Sequence, residues 1–129
     1  MKRVNPDSLA KPSGFSHATI ATGTTVFLAG QTGMNAQGRI VEGGLVPQFE
    51  QALANLLTAL REAGGEPADL ASMTVYIVDM DDYRTRAREI GAVWKRLVGA
   101  DYPAMAGIGV SRLWDAEALV EVQGLAVLP

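Results

Sequence analysis

The chain has 129 residues, of which 48% are hydrophobic and 19% charged, with a net charge of −3. That suits one domain, 1–129, with a real core, and argues against a disordered chain and against nucleic acid as the main partner. No cysteine is present, which excludes disulfides, a thiolate nucleophile and a Cys-ligated metal, and the lone His17 cannot build a multi-histidine zinc site within one subunit.

Residues 1–14 hold Pro6, Pro12 and Gly14 and read as an extended lead-in. The basic start, Met1-Lys2-Arg3, is followed by no apolar stretch, so no secretory signal is expected. No apolar run reaches the length of a membrane helix, so no membrane partner is expected and a cytoplasmic location is the default. A strand at 15–21, a turn at Thr22-Gly23-Thr24 and a β-rich run over 25–29 follow. Gly30-Gln31-Thr32-Gly33 breaks that run, and the glycines of 34–46 predict a loop or irregular hairpin.

From Pro47 to Ala63, Phe49, Leu53, Leu56 and Leu60 recur at helical steps, widened by Ala52 and Leu57, and Gly64-Gly65 ends the helix. Residues 73–78 predict a strand. A second helix is expected over 82–98, capped by Asp81 or Asp82, with Tyr83, Ala87, Ile90, Trp94 and Leu97 or Val98 turned inward. Two strands close the chain, over 102–110 and 119–127.

The order β-β-loop-α-β-α-β-β predicts an α+β two-layer sandwich, a sheet of five or six strands with two helices on one face. The opposite sheet face needs a cover as well. Val75, Ile77, Ile108, Val120 and Val122 are its candidate residues, and an apolar face of that size predicts a homo-oligomer.

Glu121 stands alone among apolar strand residues. A buried carboxylate is costly unless partnered, so it either joins a structural network, with backbone amides or Arg112, or activates a water. His17 lies two residues after Phe15, which puts both side chains on one side of a strand. Its ordinary role is a hydrogen-bonding rim residue. Gly30-Gln31 lacks the lysine and spacing of a phosphate loop and reads either as a strand-ending turn or as backbone amides aimed at a ligand. Arg84, Arg86, Arg88 and Arg96 are offset by Asp81, Asp82 and Glu89 and mark a solvated helix face.

Taken together, several segments resemble the Rid family of reactive-intermediate deaminases, also called the YjgF or L-PSP family, over about residues 12 to 128. The matching pieces are Pro12-Ser13-Gly14-Phe15-Ser16-His17-Ala18, Val26-Phe27-Leu28-Ala29-Gly30-Gln31, Gln48 and Asn55, residues 75–83, Tyr102-Pro103-Ala104, Leu113 and Val120-Glu121-Val122. The resemblance implies a chorismate-mutase-like fold with a mixed sheet, and a homotrimer whose sheets pack, barrel-like, around a central axis. It further implies small-molecule ligands in clefts between subunits, no metal and no organic cofactor. The activity implied is hydrolysis of imines or enamines, such as those made from serine and threonine, to 2-keto acids and ammonia.

By the same resemblance, Glu121 orients the water, while Phe15, His17, Gly30, Gln31, Ala87, Met105 and Gly107 line the cleft. Four of these depart from the family pattern. Met105 stands where an arginine clamps the substrate carboxylate, Gly107 where cysteine is frequent, Phe15 where a tyrosine is common, and Ala87 where asparagine is often found. Losing one partner of a buried charge pair costs on the order of 2–5 kcal/mol, so 2-aminoacrylate-type imines are not the expected substrates. A neutral, larger or more apolar ligand is. Arg112, or an arginine of a neighbouring subunit, is a candidate replacement clamp. The competing expectation is a non-catalytic trimer that binds a small metabolite. A ribonuclease finds no support in the acidic composition and single histidine.

Overall fold

In the computed structural model, which describes residues 1–129, the apolar stripe of the first helix decides the architecture. Helix α1 spans Leu45–Glu62, two residues earlier than the periodicity indicates, and Pro47 lies in its first turn. Gly43 and Gly44 precede it with φ of 110° and 89°, a left-handed entry that side chains resist. Its buried residues include Phe49, Ala52, Leu53, Leu56, Leu57 and Leu60. They pack on a sheet and supply more of one continuous core than any other element does.

That sheet has four strands: β3 (Thr24–Thr32), β4 (Leu70–Ile77), β5 (Ala104–Gly109) and β6 (Val120–Leu128), in the order β3-β6-β4-β5. It is mixed, because β4 and β5 run parallel while β6 is antiparallel to both β3 and β4. Two further strands, β1 (Lys2–Val4) and β2 (Ala18–Ile20), form a separate antiparallel pair. The lead-in thus contributes a strand, and the six strands divide four and two. The small pair is tied to the main sheet by the Thr19 hydroxyl, which donates to the Ala71 carbonyl at 2.7 Å, and by a bridge between Ser16 and Ala104. The α+β class, the mixed sheet and the helices on one face are as expected.

The second helix is kinked. Helices α2 (Met80–Thr85) and α3 (Ala87–Leu97) meet at Arg86, whose backbone leaves the helical region at φ −99° and ψ 18°. Asp79, not Asp81 or Asp82, is the cap, accepting the Asp82 N–H at 3.0 Å. Ile90, Val93 and Trp94 turn inward, whereas Ala87 is exposed, contrary to the periodicity, because the kink falls immediately before it. No helix is long and apolar enough to cross a membrane.

The expected assignment of the second sheet face needs correction. Val75, Ile77, Val120 and Val122 lie under the helices, each at most 3% exposed. Val120 and Val122 alternate with Glu121 and Gln123, and the register places Val75 and Ile77 on the same inward parity. The open face instead carries Glu121, Gln123 and Leu125 from β6, Thr74 and Tyr76 from β4, Phe27 from β3 and Ile108 from β5. Of the five residues assigned to that face, only Ile108 lies there.

Candidate functional site

Glu121 is the second residue of β6, the strand between β3 and β4. Its register partners are Thr32 on β3 and Tyr76 on β4, and Tyr76 in turn pairs with Ile108 on β5. Directly opposed residues share a face, so Ile108, Tyr76, Glu121 and Thr32 form one row across the open side. The carboxylate is half-buried, more accessible than an apolar strand context suggests.

A bulge sets the site. The β3–β6 register shifts between Leu28 and Gln31, which brings Gly30 against Glu121. A methyl group on Gly30 would overlap Oε2 of Glu121, with the carboxyl carbon also in the way. The carboxylate therefore rests on bare backbone. One row further along, the Tyr76 hydroxyl donates to Gln123 Oε1 at 3.3 Å. Sequence reasoning missed Tyr76, Gln123 and Thr32; the signal available was the two-residue alternation from Glu121 to Gln123 and the matching parity of β4.

Helix α1 fixes both loops that flank this row. The buried Gln48 donates to the Glu117 carbonyl at 3.1 Å and accepts the Leu119 N–H at 2.8 Å. Asn55 donates to the carbonyls of Thr32, at 3.3 Å, and Met34, at 2.8 Å. The loop before Glu121 and the chain leaving β3 are thus held by two amides on the same helix, seven residues apart, or about two turns.

The remaining expected site residues do not join Glu121 within one chain. Gln31 lines a shallow cleft of about 570 Å³ beside α1, with Asn55 and Met34. Phe15 and His17 pack edge to face at 5.1 Å, and His17 Nε2 bonds the Ala10 carbonyl at 2.9 Å. Phe15 lines the largest cleft, about 610 Å³, walled also by Leu9, Lys11 and Tyr102. Met105 pairs with Met73 on the helix side of the sheet and packs partly on the core. Gly107 pairs with Val75 on that same side, and Ala87 is exposed at the start of α3. Arg112 is exposed and forms no ion pair within the chain.

Tyr83 and Arg86 are displaced from their ordinary titration, and both lie away from Glu121's row. Burial, aided by the neighbouring Tyr102, pushes Tyr83 up to about 12. Arg86 is raised by its hydrogen bond to Asp82 and by the charges of Asp82 and Glu89. No group of three or more His, Asp or Glu side chains is gathered where it could ligate a metal. The chemistry open to the row is that of a carboxylate acting on water, with Thr32 and Tyr76 on the same face.

A family model described as Endoribonuclease L-PSP matches residues 6–128. The chain belongs to the Rid (YjgF, L-PSP) family. A crystal structure of a conserved Rid-family protein from Yersinia pestis superposes on this Rid chain with a TM-score of 0.84 and 38% identity, covering 98% of both. A RutC family protein of Pyrococcus abyssi is 31% identical over 117 residues, 90% of this chain and 88% of that protein. The 2-iminobutanoate/2-iminopropanoate deaminase of Bos taurus is 32% identical over 104 residues, 80% of this chain and 72% of that protein.

Proposed function

We propose that this Rid chain is a cofactor-free hydrolase acting on an imine, enamine or related C=N or amide compound, with Glu121 as the base that activates water. The observation that carries this reading is the fit of the Glu121 carboxylate onto Gly30, on an open face where water and ligand have access. As Glu121 takes a proton from water, the oxygen bonds to the imine carbon. The C=N π pair moves to nitrogen, which takes up a proton. The nitrogen of the resulting carbinolamine takes a second proton from the protonated Glu121; the carboxylate so regenerated accepts the hydroxyl proton as the oxygen pair forms the C=O bond and the C–N bond breaks, which releases the carbonyl product and ammonia and leaves Glu121 to return that proton to solvent.

We place the site between subunits of a homotrimer. Within one chain Glu121 and Gly30 are separated by the sheet from Met105 and Gly107, so a complete cleft needs the second group from a neighbour. The named activity of the bovine relative supports the reaction class. Met105, packed beside Met73, offers no charge to a substrate carboxylate, which argues for a substrate other than 2-aminoacrylate-type imines. The same apolar character at Phe15 and Ala87 favours the second reading, a trimer that binds a metabolite without converting it.

Enzymatically generated imines, enamines and amides offered to the purified protein separate the two. Ammonia release above the uncatalysed rate, lost in Glu121→Gln, is expected. Release that persists unchanged in that variant removes Glu121 from the mechanism. A ligand that raises Tm and is recovered intact, with no turnover of any compound, establishes the binding reading instead.

A further inference from the structure

The largest cleft of the chain, about 610 Å³, lies under the lead-in, between residues 5–12 and the Ala100–Tyr102 approach to β5. It holds neither Glu121 nor Gly30, and of the residues that the resemblance assigns to the ligand cleft only Phe15 lines it. Its walls are fastened on both sides. Ser16, 5% exposed, donates its hydroxyl to the Tyr102 carbonyl at 2.6 Å and its N–H to the Pro103 carbonyl at 2.9 Å. Arg3 Nε donates to the same Tyr102 carbonyl at 3.3 Å. Trp94 stacks on the Tyr102 ring and donates to the Asp101 carbonyl at 3.1 Å. The lead-in is held by His17, whose N–H donates to Asn5 Oδ1 at 2.8 Å and whose Nε2 bonds the Ala10 carbonyl at 2.9 Å, and by a turn from the Leu9 N–H to Pro6.

A cavity of this volume falls in the size range of small-molecule sites, and walls already built spare a ligand the cost of ordering them. Phe15, Leu9 and Tyr102 give the cleft an apolar side. Three charged side chains also line it, and they differ in what they already touch. Asp101 lies 3.7 Å from Arg3, whereas Asp7 and Lys11 form no ion pair. The cleft thus presents one free anion and one free cation beside an aromatic wall. The molecule that answers both charges is a small zwitterion with a flat apolar body.

We propose that the lead-in cleft is a second binding site, for free aromatic α-amino acids. Lys11 meets the carboxylate, Asp7 the ammonium group, and Phe15 packs against the ring. The site goes beyond the reading of Glu121 as a base and does not depend on it.

Isothermal titration calorimetry of the full chain with L-phenylalanine tests this, with 3-phenylpropanoate and phenethylamine as analogues that each lack one charge. L-Phenylalanine is expected to bind, and each analogue to bind about twofold to fivefold more weakly, the range of a solvent-exposed ion pair. Lys11→Ala is expected to bring L-phenylalanine down to the level of phenethylamine, and Asp7→Asn to that of 3-phenylpropanoate. Phe15→Ala is expected to weaken all three. No binding of L-phenylalanine overturns the proposal, as does equal affinity for the three compounds, or an affinity unchanged in both Lys11→Ala and Asp7→Asn. Loss of L-phenylalanine binding in Glu121→Gln also overturns it, by moving the ligand to Glu121's row. If L-phenylalanine binds with these preferences but no imine is hydrolysed, the second site stands and the hydrolase reading fails.

Discussion

Gly30 lies against the carboxylate of Glu121, and the volume a methyl group would take on Gly30 is already filled by Oε2. Gly30 has no left-handed backbone to protect, so its lack of a side chain serves the carboxylate alone. Gly30→Ala is therefore expected to leave the fold intact and to swing Glu121 away. The expected result is a fall in imine hydrolysis of about tenfold to a hundredfold, with Tm changed by no more than a few degrees, approaching the loss in Glu121→Gln of about 10²–10⁴. Steady-state kinetics with a melting curve on each variant checks this. Full activity in Gly30→Ala shows the contact to be idle.

Met105 stands beside Met73 on an edge strand, where a longer side chain can lay its stem along the sheet and reach past it. Met105→Arg is expected to raise kcat/KM for small anionic imines by about tenfold or more, at a modest loss of Tm from displaced core contacts. The comparison of 2-iminopropanoate with an uncharged imine, before and after the substitution, measures it. An unchanged ratio shows that Met105 does not face the ligand.

Gln48 is buried and uses both ends of its amide to hold the loop ahead of Glu121. Gln48→Leu leaves the Leu119 N–H and the Glu117 carbonyl without these partners. Each group left unsatisfied costs about 1–3 kcal/mol. Chemical denaturation is expected to show that loss, and hydrogen exchange is expected to speed up at Ala118 and Leu119 before the rest of β6. Gln48→Glu keeps the acceptor for Leu119 but loses the donor to Glu117, and is expected to restore only part of the protection.

Tyr83 gives a pH signature. Its phenol is raised to about 12 by burial, whereas an unfolded tyrosine titrates near 10. Below pH 10 both states hold the proton and the group adds no pH dependence. Between 10 and 12 the unfolded state releases it first, so the folded state loses stability as pH rises, by about 2–3 kcal/mol at most. Denaturation across that window is expected to steepen with pH in the native chain and to flatten in Tyr83→Phe.

Helix α1 was legible because its leucines recur at a spacing no strand satisfies, β3 and β4 as runs rich in β-branched and aromatic residues, and β5 and β6 as apolar stretches separated by a short link. Which face each strand buried was legible only in part. In β6 the alternation of Val120 and Val122 with Glu121 and Gln123 carries the parity, but Val75 lies between Thr74 and Tyr76, residues at home on either face, and there the pairing across strands, with its shift at Leu70/Ser72, selects one. The kink at Arg86 escaped because the α2–α3 hydrogen bonds continue across it, from Arg86 N–H to Asp82 and from Ile90 N–H to Arg86. Glu121 was legible as the lone charge in a strand, and Gly30 as a break after one. Their contact depends on the bulge, and the place of Tyr76 beside Glu121 on the register, neither of which composition or periodicity encodes.

Strand β6 sits inside the sheet although it is made after the strands on either side of it. Until it emerges, β3 and β4 each present an unpaired edge and the greasy underside of α1 has an incomplete floor. The nascent chain is thus open to sticking until β6 has been made. A premature stop anywhere before Val120 leaves a permanently gapped sheet, a fitting client for chaperones and proteases rather than a smaller working protein.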